Sequence, residues 1–354
     1  MVYFRKVWIL KAQVLTGIDQ MEMADVASPE IVNDTDVLVK VLEVGVCGSD
    51  VHYYETGKIG SQVVSYPYRV GHECAGVVEA VGKSVSNVKV GEEVVIDPAT
   101  VCFKCDQCLA GRENTCREMT FLGCPGQAEG CLCEYIVMDQ TSCFPTNGGI
   151  TLEQGTLCEP FAIGVYAVQQ ANLAKDAKIA ILGSGPIGLS CMAAAKAESI
   201  TDIYMTDKIA ERVNIAASNG AVWAGNPDAE DVVKAIYAKQ PGGMDVVFEC
   251  AGEQDTIDQS IELLKPGGKV MVIGIPRVDR VSYDADSSRR KEITVINVRR
   301  QNGCTQKAID LIATGKADVD FMVTHRFDFS KSKEAFDLVA GYKDGVVKAI
   351  IKLN

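Results

Sequence analysis

The segment KIAILGSGPIGLS, residues 178–190, constrains the fold of this chain more than any other feature. It places the pattern G-x-G-x-x-G directly after a predicted strand and at the start of a predicted helix. Glycines at these three positions permit a tight turn, close approach of a pyrophosphate and close packing of the helix on the sheet. Asp207 ends the next predicted strand. The segment therefore predicts a dinucleotide-binding βαβ unit.

The same loop predicts which groups would hold the dinucleotide. A helix N-terminus offers unpaired N–H groups and a dipole that favours phosphate. Asp207 would bind the adenosine ribose hydroxyls and repel a 2′-phosphate, which favours NAD over NADP, whereas the nearby Arg212 could weaken that preference. The predicted cofactor-binding residues are Gly183, Gly185, Pro186, Ile187, Gly188, Asp207 and Arg212. The alternative is a structural glycine turn beside a solvated aspartate.

The second half of the chain alternates between predicted strands and helices. The predicted strands are 178–182, 202–207, 245–252, 267–275 and 292–298, and the predicted helices are 187–198, 209–220 and 254–264. This order is typical of a doubly wound parallel sheet, so the fold class is α/β.

The remainder of the chain has a different pattern. Residues 35–100 form short β-segments punctuated by glycine, which predicts a small barrel or sandwich. After about residue 300, a predicted helix over 305–316 and an extended segment over 345–354 do not continue the alternation. We assign them to the first, β-rich domain.

Four cysteines share one short segment, CFKCDQCLAGRENTC. The spacing C-x2-C-x2-C-x7-C suits a closed tetrahedral Zn²⁺ site with a structural role. Disulfides, an iron–sulfur cluster and a nucleic-acid-binding zinc ribbon are the alternatives. The predicted structural zinc ligands are Cys102, Cys105, Cys108 and Cys116.

The chain has three histidines, and two of them, His52 and His72, flank one predicted strand region together with Cys47. Glu73 follows His72 directly. Thiolate, imidazole and carboxylate are zinc ligands, and a zinc site with three protein ligands keeps a position open for chemistry. The alternative is a surface turn that carries His72 and Glu73 into solvent, and only the fold can bring Cys47 and His72 together.

Charge and composition exclude several classes of protein. The net charge of −12 argues against a nucleic-acid binder. The most apolar stretch is interrupted by three glycines and a proline, so no membrane span is predicted, and the N-terminus lacks the pattern of a signal peptide. Fourteen cysteines in a chain without that pattern favour reduced thiols, and we expect a cytoplasmic location.

These motifs together resemble the zinc-containing medium-chain dehydrogenase/reductase superfamily. The segments Cys47-Gly-Ser-Asp and Gly71-His72-Glu73, the four-cysteine loop and GSGPIG occur in that superfamily's order over essentially the whole chain. CGSDVHYYETGKIG, TLCEPFAIGVYA and VTHRF most resemble polyol dehydrogenases of the sorbitol (L-iditol 2-) type. The resemblance implies a GroES-like catalytic domain over 1–162 and 300–354, with a structural zinc lobe near 100–117. It also implies a Rossmann domain over 163–299 and a homotetramer, with a dimer as the alternative.

The resemblance also implies residue roles. Cys47 and His72 match catalytic zinc ligands, with Glu73 and Glu159 as two carboxylates that compete for the same metal. The implied proton relay runs through Ser49, the cofactor ribose and His52, and the implied pocket residues are Tyr53, Phe121 and Arg299.

The expected activity is oxidation of a secondary hydroxyl of a polyol, with hydride transfer to NAD and two zinc ions per chain. An L-threonine dehydrogenase, a secondary-alcohol or butanediol dehydrogenase, and a zinc-independent reductase of the same superfamily stay open. So does a non-catalytic NAD-binding protein with structural zinc only.

Overall fold

The computed structural model describes residues 8–353. The chain divides into two compact units. Residues up to Glu159 and from Val323 onward form the first unit, and Pro160–Met322 form the second. No helix within residues 8–353 is both long and apolar enough to cross a lipid bilayer.

The first unit is rich in short strands. Its strands are β1 (Ile9–Gly17), β2 (Gln20–Ala27), β3 (Asp36–Gly45), β4 (Lys58–Ile59), β5 (Gln62–Val63), β6 (Glu73–Val81), β7 (Glu93–Ile96), β8 (Ala99–Thr100), β9 (Thr120–Phe121), β10 (Tyr135–Asp139), β11 (Cys143–Pro145), β18 (Val323–Asp328) and β19 (Lys348–Lys352). Its helices are α1 (Gly48–Thr56), α2 (Asp106–Leu109) and α10 (Ser332–Ala340), and α3 (Leu152–Ala171) begins in it.

A seven-stranded sheet forms the centre of this unit, in the order β11-β7-β6-β3-β19-β18, with β10 also paired to β3. Strand β3 is rich in valine, whose β-branched side chain suits a pleated surface. These valines are almost fully buried. The C-terminal strand β19 pairs with β3 of the N-terminal part, so both ends of the chain complete one sheet.

The second unit alternates strand and helix. Its strands are β12 (Ile179–Leu182), β13 (Ile203–Thr206), β14 (Trp223–Gly225), β15 (Met244–Glu249), β16 (Leu264–Val272) and β17 (Thr294–Asn297). Its helices are the rest of α3 and α4 (Pro186–Ala197), α5 (Ala210–Ser218), α6 (Val232–Lys239), α7 (Gln254–Leu263), α8 (Ala285–Lys291) and α9 (Thr305–Ala313).

The strands of the second unit form one sheet in the order β14-β13-β12-β15-β16-β17, and every pairing is parallel. The order reverses at β12, as it does in doubly wound sheets. The predicted α/β fold class is therefore confirmed. β14, α6 and α8 had no counterpart in the sequence-based prediction.

The boundary after about residue 300 was predicted wrongly. Helix α9 belongs to the second unit, where Cys304 Sγ donates to Gln169 Oε1 at 3.3 Å and Lys307 Nζ bonds Glu198 at 3.0 Å. The return to the first unit occurs at Val323. The periodicity of a helical segment predicts an apolar face, but it does not predict which domain packs against that face.

Candidate active site and metal centres

The ends of two paired strands bring Cys47 and His72 together. Cys47 follows β3 and precedes α1, and His72 directly precedes β6. The two strands are antiparallel, and Gly45 at the end of β3 lies opposite Glu73 at the start of β6. Because this register pairs the end of β3 with the start of β6, residues distant in sequence meet at one end of these two strands.

Cys47, His72 and Glu73 form a group that could hold a metal ion. Their donor atoms all lie within 4.8 Å of one another. Burial opposes a charge on His72, but the Asp50 carboxylate and the Cys47 thiol outweigh it and raise the pKa of His72 well above its usual value. A thiol, an imidazole and a carboxylate in surroundings that favour positive charge fit Zn²⁺.

Asp50 fixes the orientation of the imidazole. Its Oδ1 lies 3.2 Å from His72 Nδ1 and accepts a hydrogen bond from the Gly71 N–H, also at 3.2 Å. Asp50 is fully buried in α1. A proton on Nδ1 leaves Nε2 as the metal-binding nitrogen, an arrangement that carboxylates often impose on ligating histidines.

Lys348 holds the carboxylate of Glu73 from the other side. Its ammonium group donates to Oε1 at 2.7 Å, to Oε2 at 2.6 Å and to the Val46 carbonyl oxygen at 3.2 Å, so three acceptors match its three N–H groups. Both side chains of the pair are 1% exposed. A Cβ at Gly45 would overlap Oε2 of Glu73, so glycine makes room for the carboxylate.

Glu159 is a neighbour of this group, close enough to interact with the charges of His72, Glu73 and Lys348. It is buried in α3, and burial raises its pKa to about 7, against the opposing effect of His72. The donor atoms of Cys47, His72 and Glu73 lie within 4.8 Å of one another, and Glu159 is not a member of that group. Glu73 therefore fits direct ligation better, and ligation by Glu159 stays a prediction.

Helix α1 carries three further predicted residues. Ser49 Oγ donates to Cys47 Sγ at 3.4 Å, which places a hydroxyl directly beside the thiol. His52 lies one turn further along α1 and is half-buried. Tyr53 is buried, and its hydroxyl bonds Gln62 Oε1 at 3.0 Å.

The other predicted pocket residues lie in different units. Phe121, buried in β9, packs its ring 5.4 Å from the ring of His72, centre to centre. Arg299 lies in the second unit and is exposed. The structure thus brings Phe121 to the histidine, whereas the role of Arg299 stays a prediction.

The four clustered cysteines form a second candidate metal centre. The sulfur atoms are separated by 3.5 Å for Cys102–Cys116, 3.6 Å for Cys105–Cys108, 3.9 Å for Cys105–Cys116 and 4.0 Å for Cys102–Cys108. A tetrahedron with Zn–S bonds of about 2.3 Å has S···S edges of about 3.8 Å. The cluster fits one zinc ion with no open position.

Backbone N–H groups donate to sulfur atoms of this loop. The N–H groups of Cys102 and Glu118 each donate to Cys116 Sγ at 3.4 Å. The N–H groups of Arg117 and Cys108 lower the pKa of Cys105 to about 6. These thiols are not disulfides, since all fourteen cysteines of the chain are free.

Two further residues of metal-ligating type, Cys74 and His325, have structural roles. Cys74 directly follows Glu73 in the sequence and is a buried core residue. His325 bonds the Thr324 hydroxyl at 2.9 Å and the Asp344 carboxylate at 3.1 Å, as expected for a structural histidine.

The glycine loop joins β12 to α4 as predicted. Gly183 has φ of 102°, which favours glycine, and a Cβ at Gly188 would overlap the Gly183 carbonyl oxygen. Gly185 is the N-cap of α4 and supplies no side-chain cap, and Pro186 and Ile187 form the first turn. Pro186 has no N–H group, so a phosphate at this helix start would be bound by the N–H groups of the residues that follow it. The loop therefore fits the diphosphate of a dinucleotide.

Asp207 lies against this loop. Its Oδ2 accepts the Ser184 N–H at 2.8 Å and its Oδ1 accepts the Ile209 N–H at 2.9 Å. The buried Arg212 of α5 reaches Gly185, where a Cβ would lie 3.4 Å from Nη1. The carboxylate and the guanidinium thus border the same turn.

Comparison with known proteins identifies the family. Residues 33–148 match the alcohol dehydrogenase GroES-like domain, and residues 186–314 match the zinc-binding dehydrogenase domain. A sorbitol dehydrogenase of Bacillus subtilis is 33% identical over 98% of both chains. An L-idonate 5-dehydrogenase of Vitis vinifera is 33% identical over 92% of this chain and 90% of its own. The chain belongs to the zinc-binding alcohol dehydrogenase family. It is an oxidoreductase.

Two solved dehydrogenase structures have the same fold. ECK1772 of Escherichia coli, an oxidoreductase/dehydrogenase of unknown specificity, superposes with a TM-score of 0.92 at 31% identity, over 98% of this chain and 100% of its own. A zinc-binding dehydrogenase of Sinorhizobium meliloti bound to NADP gives 0.88 at 30% identity, over 98% and 99%. The predicted zinc and nicotinamide dinucleotide accord with these findings.

Sequence reasoning missed one residue of this dehydrogenase site. Lys348 is the buried partner of Glu73, yet it lies in a terminal segment that we had interpreted only as extended. The signal available was a single lysine within the apolar run VVKAII. Fully buried lysines are rare unless paired, so a lysine in a central strand indicates a carboxylate partner.

Proposed function

We propose that this chain oxidises a secondary hydroxyl of a polyol, of the sorbitol, L-iditol or xylitol type, to a ketose and transfers the hydride to NAD. The observation that carries this proposal is the group of Cys47, His72 and Glu73, whose donor atoms converge within 4.8 Å in a zinc-binding dehydrogenase. The substrate class rests on the sorbitol dehydrogenase and L-idonate 5-dehydrogenase among the relatives.

In this proposal Cys47, His72 and Glu73 would hold the catalytic zinc. When bound, the zinc would make the substrate hydroxyl more acidic, and the nicotinamide would accept the hydride. Asp50 orients His72 through Nδ1, and Lys348 fixes both oxygens of Glu73. Because of these two contacts, the side chains of His72 and Glu73 would already have the orientation that zinc binding requires and would not need to rearrange during turnover.

Ser49 and His52 would move the proton of the substrate hydroxyl. The Ser49 hydroxyl lies beside the Cys47 sulfur, so it is next to the place where the proton leaves. The imidazole of His52 can accept a proton on one ring nitrogen and donate one from the other, which suits it for passing a proton to solvent. Tyr53 and Phe121 would contact the polyol, and we keep Arg299 as a third predicted contact.

Asp207 supports NAD rather than NADP. Two backbone N–H groups, of Ser184 and Ile209, hold its carboxylate against the glycine loop. A carboxylate there can accept hydrogen bonds from ribose hydroxyls and would repel a 2′-phosphate. The Sinorhizobium meliloti dehydrogenase was solved with NADP bound, but that describes the cofactor of that protein and not the cofactor of this chain.

Replacing Asp207 with asparagine should reduce the preference for NAD⁺. The negative charge disappears, while the side chain keeps its size. We expect the ratio of kcat/KM for NAD⁺ to that for NADP⁺ to fall about 100-fold, or about 2.8 kcal/mol. Steady-state kinetics with both cofactors would measure the ratio, and Asp202→Asn just before the same strand is the control. An unchanged ratio in Asp207→Asn would contradict the assignment.

A substrate panel tests the proposed function. Purified protein would be assayed for NAD⁺ and NADP⁺ reduction with sorbitol, xylitol, L-arabinitol, galactitol, L-idonate, L-threonine and 2,3-butanediol. We expect a polyol to give the highest kcat/KM. Turnover of L-threonine alone or butanediol alone would show that the substrate assignment is wrong.

We also infer a homotetramer, with a dimer as the alternative, in a reducing compartment such as the cytoplasm. The strand β17 lies at the edge of its sheet and exposes Val295. Ile275, Val278 and Tyr283, in the segment between β16 and α8, are also exposed. An apolar sheet edge is a common site of pairing with another chain. The fourteen free thiols support the reducing compartment.

A further inference from the structure

Glu249 is a buried carboxylate of the second unit to which the site described above assigns no role. It is the last residue of β15 and lies between Leu182 of β12 and Val272 of β16. Its exposed fraction is 0%. Burying a carboxyl group without hydrogen-bond partners costs free energy, so the contacts of Glu249 indicate its structural role.

The contacts of Glu249 join two loops. Its Oε1 accepts three hydrogen bonds, from the N–H groups of Ala251 and Gly252 at 2.9 and 2.7 Å and from the Thr256 hydroxyl at 2.7 Å. Its main-chain oxygen accepts the N–H groups of Ile273 and Gly274 at 2.9 and 3.0 Å. The side chain of Glu249 thus holds the loop after β15, and the main chain of the same residue holds the loop after β16.

The two loops are packed tightly around this side chain. A Cβ at Gly274 would overlap the Gly252 nitrogen and would lie 2.7 Å from Oε2 of Glu249. Oε2 itself is buried and has no hydrogen-bond partner. Burial raises the pKa of Glu249, against the hydrogen bonds from Thr256, Gly252 and Ala251. The Glu249 side chain therefore lies where the backbones of Gly252 and Gly274 approach each other closely.

The loop after β15 lies directly beside the glycine loop. The Cys250 N–H donates to the Leu182 carbonyl oxygen at 2.9 Å, and a Cβ at Gly183 would lie 3.2 Å from both the Ala251 nitrogen and the Cys250 carbonyl carbon. Ala251 is exposed, whereas Glu249 below it is not. The loop therefore presents its outer surface at the carboxyl end of the sheet.

The position of Asp207 indicates which half of the dinucleotide reaches this surface. Asp207 follows β13, on one side of β12, and β15 lies on the other side. Dinucleotides cross a doubly wound sheet at the point where the strand order reverses. With the adenosine ribose at Asp207 and the diphosphate at Gly185, the remaining half extends over the loops after β15 and β16.

We propose that Glu249 is a positioning residue for the nicotinamide half of the cofactor, because it fixes from beneath the two loops on which that half would lie. The inference rests on the nicotinamide cofactor of the proposed function. Glu249 does not touch the cofactor, so its effect passes through the backbone of Ala251, Gly252 and Gly274.

The test compares two ligands on the full-length, zinc-loaded protein. NADH contains the nicotinamide half, whereas ADP contains the adenosine and both phosphates without it. We expect Glu249→Met to raise the Kd for NADH about tenfold and to leave the Kd for ADP within about twofold, by fluorescence and calorimetry. Glu249→Gln should restore NADH binding, since its amide oxygen remains an acceptor for the donors of the loop after β15.

Other outcomes would overturn the proposal. An equal rise of both Kd values would show a merely structural role, and no change in either would show that the loops need no anchor. If wild-type protein binds neither ligand, the proposed function fails and this role fails with it. If Glu249→Met does not fold, Thr256→Val decides: we expect the Kd for NADH to rise about threefold with ADP unchanged, and an unchanged Kd for NADH would overturn the proposal.

Discussion

Replacement of Cys47 with alanine should lower the zinc content from two ions per chain to one and abolish most of the turnover. The thiol is one of only three donors in the group with His72 and Glu73, whereas the four-cysteine cluster is complete without it. We expect kcat/KM for the best polyol to fall about 10³-fold or more, which corresponds to about 4 kcal/mol of transition-state stabilisation. Metal analysis and steady-state kinetics on the same preparation would measure both effects.

Cys143→Ala is the matched control for this variant. Cys143 is a fully buried cysteine of the same unit that belongs to neither cysteine-containing metal group. It should keep two zinc ions and near-normal turnover. Two zinc ions together with full turnover in Cys47→Ala would refute the catalytic assignment, and one zinc ion in the wild-type protein would favour a non-catalytic role.

Replacement of Lys348 with methionine should destabilise the metal-free protein by about 3–5 kcal/mol. Methionine matches the length of the side chain but leaves the buried carboxylate of Glu73 without its charged partner, and that is the costly way to break a buried pair. Urea unfolding of chelator-treated protein would measure the loss. We expect a smaller loss with zinc bound, because the metal then balances the same carboxylate.

Two further variants isolate the cause. Lys352→Met changes the other lysine of β19, which is 41% exposed and lies 3.4 Å from Glu43, so it should cost less than about 1 kcal/mol. The double variant Lys348→Met/Glu73→Gln removes both charges and should recover much of the stability. If the double variant is as unstable as the two single variants added together, the loss comes from packing rather than from the unpaired charge.

Local motifs carried most of what could be predicted from the sequence. The glycine loop, the alternation of strands and helices and the spacing of the four cysteines each lie within a short segment, where local geometry sets the outcome. The predicted loop does join β12 to α4, and the sulfur atoms of the cysteines do lie at tetrahedral separations.

The amphipathic helix α9 marks the limit of that reasoning. Its periodicity predicted a helix correctly, but its assignment to the first domain was wrong. Periodicity describes one element at a time, whereas the choice of a packing partner depends on the whole fold.

By itself, then, the sequence determined a doubly wound dinucleotide-binding unit, a four-cysteine metal loop and a set of candidate ligands near Cys47 and His72. Only the tertiary structure brought the donor atoms of Cys47, His72 and Glu73 within 4.8 Å of one another. The antiparallel register of β3 and β6 places Glu73 with the other two, and the return of β19 to the same sheet supplies Lys348 as its partner. The physical reason is that strand pairing joins residues far apart in the chain, and no local pattern records which strands will pair or in what register.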